Sequence, residues 1–138
     1  MPTTKRVLIV CTGNTCRSPM AEALARSITG GSVQVESAGI EAPDGMPATE
    51  HAVTAMAERG ADITNHRSRS VESLDIRQFD VVVAMTPWIA DRLRRLGVDP
   101  ARIRSIHVDD PYCKGLAEYR QAADEIEQAL RQLASELS

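Results

Sequence analysis

The chain reads as an α/β protein, a doubly wound four-stranded parallel sheet flanked by helices on both faces. Three observations carry that expectation. Short apolar runs such as Val7–Val10 and Val81–Met85 recur between helix-length stretches, and strands alternating with helices imply a parallel sheet. Gly30-Gly31, Pro43-Asp44-Gly45 and Gly60 mark the joints between them. The 138 residues are 43% hydrophobic, which suits one domain over 1–138 with a substantial core.

In order, Arg6–Val10 is the first strand. Pro19–Thr29 is the first helix, with Ser18 its cap and Gly30-Gly31 its stop. Val33–Ser37 alternates and is the second strand, and Gly39–Pro47 is a loop. Ala48–Arg59 is a helix ended by Gly60, and Val71–Ile76 a short helix. Asp80–Met85 is a buried third strand, Pro87–Leu96 a helix, and Arg104–Val108 the fourth strand. Ala117–Leu137 is a long amphipathic helix whose stripe Ile126, Leu130, Leu133 and Leu137 faces the core. No internal repeat or linker interrupts the pattern.

Composition excludes several classes. A net charge of −3 gives no field for nucleic acid or an anionic membrane. The apolar runs are far too short to span a bilayer. Met1-Pro2-Thr3-Thr4-Lys5-Arg6 leads directly into a strand, so no signal peptide is expected. Three cysteines, an odd number, suit reduced thiols and a cytoplasmic setting rather than a disulfide scaffold. His51, His66 and His107 are scattered, so neither a metal nor a cofactor is expected. Gly-x-Gly-x-x-Gly is missing from the first loop, which argues against dinucleotide binding.

The most informative segment is Cys11-Thr12-Gly13-Asn14-Thr15-Cys16-Arg17-Ser18, between a strand and a helix. Gly13 permits unusual backbone angles, so successive N–H groups can turn inward as an anion nest at a helix N-terminus. That field also favours Cys11 as a thiolate, and Arg17 adds a planar guanidinium. Together they suit attack on phosphorus. Cys-x5-Arg alone arises by chance in about one such chain in three; the flanking strand and helix lift it above that. Ligands of such sheets bind at the carboxyl ends of strands, where Cys11 lies. Asp109-Asp110-Pro111-Tyr112 emerges at the same edge after the fourth strand. One carboxyl there can protonate a leaving atom and then activate water, worth roughly 10²–10⁴ in rate. On the residues alone Asp109 and Asp110 both qualify, as does a simple Asp-Pro turn.

These segments resemble the low-molecular-weight protein-tyrosine phosphatase family over essentially the whole chain. The likeness rests on the Cys11–Ser18 loop with Pro19-Met20-Ala21-Glu22, then Glu36-Ser37-Ala38-Gly39, His66, Ala84-Met85 and Asp110-Pro111-Tyr112. It implies a four-stranded parallel sheet and a phosphocysteine mechanism. Cys11 is then the nucleophile. Arg17 clamps phosphate with the backbone N–H groups of Thr12, Gly13, Asn14, Thr15, Cys16 and Ser18. Ser18 stabilises the thiolate, Asn14 braces the loop with Ser37 and His66, and Asp110 is the general acid and base. A phosphorylated protein would be the substrate and inorganic phosphate the product, with no nucleic-acid or membrane partner and a monomeric state.

Thr15 bears on the substrate. The resemblance is closest to the bacterial protein-arginine phosphatase branch, which has Thr here, whereas tyrosine-directed members are aliphatic. Phosphoarginine is the favoured substrate and phosphotyrosine the alternative, with Thr15 a neutral swap in the latter case. Cys113-Lys114 replaces that branch's Gly-Gly after Asp-Pro-aromatic. Glu41 stands where an apolar wall is common, and pairs with a guanidinium, pairs with Lys114, or faces water. Tyr112 is the candidate stacking wall and Trp88 a packing or rim residue. Family members can also join positions Cys11 and Cys16 in a protective disulfide; otherwise Cys16 is a small buried residue. Two remote classes stand beside these. An arsenate reductase of this fold needs two further relay cysteines, and Met85-Thr86-Pro87 holds none. A silent phosphate-binding module would not need nucleophile, clamp and acid together.

Overall fold

The computed structural model describes residues 5–137 and shows a parallel four-stranded sheet in the order β2-β1-β3-β4. The strands are β1 (Arg6–Cys11), β2 (Gln34–Gly39), β3 (Val81–Ala84) and β4 (Ile103–Ser105). The helices are α1 (Arg17–Ile28), α2 (Glu50–Ala57), α3 (Pro87–Arg95) and α4 (Leu116–Leu137). The chain leaves β1 toward β2 on one side and later places β3 on the other. Right-handed crossovers therefore put α1 and α3 on opposite faces. That reversal beside β1 is the topological switch point, where α/β sheets bind ligands.

Val7, Leu8, Ile9 and Val10 are fully buried because helices cover both faces of the central strand. Each such side chain contributes roughly 1.5–3 kcal/mol. The α4 stripe packs inward as the periodicity predicts, with Ile126, Leu130 and Leu137 buried and Leu133 partly so. α4 lies against α1 and α2. Ion pairs Arg120–Glu58 (2.6 Å) and Arg59 with Asp124 and Glu127 tie it to the end of α2. No described helix is long and apolar enough to cross a membrane.

The differences from the sequence expectation lie at boundaries. α1 begins at Arg17, two residues early, so Ser18 lies inside the helix and Cys16 takes the capping position. β1 and β2 extend to Cys11 and Gly39, because their ends pair with each other in register. The expected helix over Val71–Ile76 is two 3-10 turns, Val71–Ser73 and Ile76–Gln78, capped by Ser70 and Asp75. Two local caps compete there with a continuous helix. β4 is only three residues long, so His107 and Val108 already belong to the following loop.

Candidate active site

Cys11 ends β1 opposite Gly39 of β2, and the chain then turns over five residues into α1. Ile40 N–H donates to Cys11 O and Glu41 N–H to Thr12 O, both at 2.9 Å, locking the loop's outer strand. The approach is close. A Cβ on Gly39 would meet Thr12 O at 2.5 Å and Ala42 Cβ at 2.7 Å. The left-handed residue of the loop is Asn14 (φ 57°), not Gly13. Asparagine tolerates that region because its short side chain bonds locally.

Those local bonds organise the site. Asn14, with no exposed surface, donates through Nδ2 to Ser18 Oγ at 2.8 Å and to Ser37 Oγ at 3.0 Å. Its Oδ1 accepts from Arg69 N–H at 3.0 Å, and its carbonyl accepts from His66 Nε2 at 2.7 Å. A carbonyl partner requires that Nε2 carry the hydrogen. Arg69 is itself anchored to Ser37 O at 3.0 Å and to Glu36 at 2.9 Å. Burial pushes the Glu36 carboxyl up, but the Arg6 and Arg69 guanidiniums outweigh it and hold it below its ordinary value.

This scaffold aims at one sulfur. Ser18 Oγ, accepting from Asn14, is free to donate its own hydrogen to Cys11 Sγ 2.8 Å away. Asn14 N–H donates to the same sulfur at 3.1 Å. Burial pushes the Cys11 thiol above its ordinary value, against Ser18, the Arg17 charge and Asn14 N–H, which pull it down. The thiolate favoured by the sequence therefore meets a desolvation cost that the interior adds.

Arg17, 4% exposed, donates to Val108 O at 2.9 Å and to Thr12 Oγ1 at 3.4 Å. Asp110 Oδ2 stands 3.6 Å from its Nη2. Asp110 Oδ1 accepts Tyr112 N–H at 3.0 Å, an Asx turn that orients the carboxyl. Asp109 faces away: it is exposed, 3.4 Å from His107 Nε2. Of the two carboxyls only Asp110 joins the cavity.

That cavity is about 570 Å³. Cys11, Thr12, Gly13, Thr15, Cys16 and Arg17 form its base. Asp110 and Tyr112 of the loop after β4 line it too, as does the segment leading into α2, with Pro43, Met46, Pro47, Ala48, Thr49 and Glu50. Thr49 N–H donates to Thr15 O at 2.9 Å, fixing the start of α2 against the loop. Glu41 does not line the cavity; it pairs with Arg92 at 3.7 Å, and Arg92 also lies over the Trp88 ring. Cys16 Sγ turns toward α4, 3.3 Å from Tyr119 Oη and 3.6 Å from Thr49 Oγ1. Burial first, and then Cys16, push the Tyr119 hydroxyl up to about 12. Cys11, Cys16 and Cys113 are all free thiols.

Sequence reasoning missed Gly39 as a contact point, Arg69 as a partner of Asn14, and the wall from Pro43 to Glu50. Loop prolines and a helix-initiating Thr49 were visible, but not that they fold over the cysteine. No group of three His, Cys, Asp or Glu among the described residues is placed to hold a metal ion.

A sequence model described as low molecular weight phosphotyrosine protein phosphatase matches residues 6–138. A protein-arginine-phosphatase of Bacillus subtilis is 40% identical, covering 95% of each chain. An arsenate reductase 2 of Staphylococcus saprophyticus is 38% identical, covering 93% of this chain and 95% of its own. The crystal structure of a low molecular weight protein tyrosine phosphatase from T. tengcongensis superposes with a TM-score of 0.89 at 35% identity. That likeness covers 97% of this chain and all of the other.

Proposed function

The chain belongs to the low molecular weight phosphotyrosine protein phosphatase family and is a hydrolase of that family, and we propose that it removes phosphate from phosphoarginine in proteins through a phosphocysteine intermediate. One observation carries the mechanism: Cys11, its Ser18 and Asn14 hydrogen bonds, Arg17 and Asp110 converge on one cavity.

The loop N–H groups and Arg17 bind the phosphoryl oxygens. Cys11 Sγ attacks phosphorus as the thiolate, forming S–P while the P–N bond breaks. Asp110 gives its proton to the departing guanidine nitrogen. Water then attacks the phosphocysteine, Asp110 takes the proton, and Cys11 leaves as a thiolate stabilised by Ser18. Inorganic phosphate is released. Ser37, His66 and Asn14 hold the loop in shape through both steps.

The arginine reading is supported by Thr15 in the cavity base and by the B. subtilis relative. Phosphotyrosine is the second reading, favoured by the half-exposed apolar walls Met46 and Tyr112, against which an aryl ring would pack. Arsenate reduction is disfavoured. It consumes two electrons through thiols that reach one another in turn, whereas Cys16 is tied to Tyr119 and Cys113 lies exposed on the acid loop.

The test compares phosphoarginine and phosphotyrosine peptides side by side, with arsenate plus dithiothreitol in parallel, for wild type and Thr15→Ile. Phosphoarginine should be the fastest substrate. Thr15→Ile should lower the phosphoarginine-to-phosphotyrosine ratio about tenfold or more, since loss of a polar contact discriminates more than bulk. A constant ratio with both rates reduced would leave Thr15 a loop brace and remove the main support for arginine.

A further inference from the structure

We propose that Glu50 is a specificity-determining carboxylate that favours substrates carrying a positive charge beside the phosphoryl group. This deepens the reading of the Cys11 cavity as a phosphoarginine site and rests on it. Glu50 opens α2 and lines the same cavity as Cys11 and Asp110. Its backbone is held in place, because the preceding Thr49 N–H is bonded to Thr15 O at 2.9 Å. The residue is exposed, and among the described residues no arginine, lysine or hydrogen-bond donor holds its carboxylate.

Two other glutamates near this end of the molecule are paired. Glu41, where the sequence suggested a guanidinium partner, is held by Arg92, and Glu58 by Arg120. Among the described residues that line the cavity the cation is Arg17, nearly buried in the loop after Cys11. Lys114 lines a separate hollow with Asp109, Asp110 and Glu118 and is not among the residues of this cavity. The lining thus carries a cation, Arg17, beside the cysteine loop and an unpaired carboxylate, Glu50, at the start of α2, while Asp110 enters the reaction as the proton donor. Phosphoarginine has the matching polarity: an anionic phosphoryl group joined to a guanidinium that retains its charge. Phosphotyrosine offers a neutral ring in the same place. A volume of about 570 Å³ admits a side chain of this length together with its phosphoryl group.

Glutamate in the first turn of a helix also suits the helix dipole. The two roles differ in what they change. A dipole partner affects stability and every substrate alike, whereas a selecting charge alters the ratio between charged and neutral substrates.

The experiment measures kcat/KM of the full chain and of Glu50→Gln and Glu50→Lys. The substrates are a phosphoarginine peptide, p-nitrophenyl phosphate, and phosphotyrosine peptides flanked by Lys or by Ala, and melting temperature is recorded alongside. An exposed pair of charges is worth up to about fivefold. Glu50→Gln should lower the ratio of phosphoarginine to p-nitrophenyl phosphate by about that factor, through KM, and Glu50→Lys by more. High salt should shrink the wild-type ratio but not that of Glu50→Gln. A ratio equal to wild type in both variants overturns the proposal, and a lower melting temperature alone would leave Glu50 a helix partner. If wild type does not hydrolyse phosphoarginine, the arginine reading fails by itself. Glu50 is then judged on the tyrosine peptides: loss of a Lys-over-Ala preference in Glu50→Gln sustains it, and no change refutes it.

Discussion

The interior of the phosphate loop and the mouth of its cavity are built on opposite principles. In the interior, Asn14, Ser18, Ser37 and Arg17 are buried polar groups, and each has a partner. An unsatisfied group there would cost about 1–3 kcal/mol, so the network has one arrangement. At the mouth, Met46, Tyr112 and Glu50 are exposed, and the Glu50 carboxylate is unpaired among the described residues. Exchanging a mouth residue breaks few bonds. Under the proposed function, chemistry is thereby separated from substrate choice: the interior holds the sulfur and would hold phosphate, and the mouth is free to vary what else is bound.

Variants of the two regions should therefore differ in kind. The largest effect is expected from Cys11→Ser, which should abolish turnover on every substrate while phosphate still binds, because the loop N–H groups and Arg17 remain. Phosphate release in single-turnover assays and vanadate binding by calorimetry check this. Appreciable turnover would remove Cys11 from the nucleophile role.

Asp110 stands at the border, its side chain half exposed but 3.6 Å from Arg17. Asp110→Asn should slow a phenyl phosphate by roughly 10²–10⁴ and an ester with a very acidic leaving group far less, since the latter needs little protonation. Asp109→Asn should show no such slope, because Asp109 faces His107. The reverse pattern would move the acid one residue upstream.

A smaller effect separates two sulfurs in the same loop. Burial holds the Cys11 thiol above its ordinary value, so the thiolate fraction should rise with pH. Peroxide inactivation should then accelerate about tenfold per pH unit until the thiol has ionised, because only the thiolate is the reactive form. Phosphate should protect. Rates that are flat from pH 6 upward would mean that Ser18, Arg17 and the loop N–H groups outweigh burial. Dithiothreitol recovery tests Cys16, whose sulfur must leave Tyr119 and Thr49 to reach Cys11. Equal recovery in wild type and Cys16→Ser would make Cys16 a packing residue.

What could be read from the chain alone was local. Val7–Val10 reads as a buried strand because four apolar residues in a row have no solvent face. Cys11 and Arg17 read together because both lie on one loop of eight residues. The phosphorus chemistry proposed for them rests on no distant contact. The resemblance proposes bracing roles for Asn14, Ser37 and His66, and Asn14 bonds to both of the others.

Tertiary structure decided what no short segment contains. Gly13 looked like the flexible point, yet Asn14 takes the positive φ, because Ser18, Ser37, Arg69 and His66, up to 55 residues away, converge on its polar atoms. Asp109 and Asp110 are neighbours in sequence, and only the turn fixed by Tyr112 N–H sends one toward Arg17 and leaves the other in solvent. Glu41 and Glu50 both follow β2, and packing of α2 against α4 with the Thr49–Thr15 bond brings the second, not the first, to the cavity. The sequence by itself determined the sheet and the loop that carries Cys11 and Arg17 between β1 and α1, because backbone preference and loop chemistry act over a few residues. Which carboxylates line the cavity was left to the fold, because that depends on how distant segments close over one another.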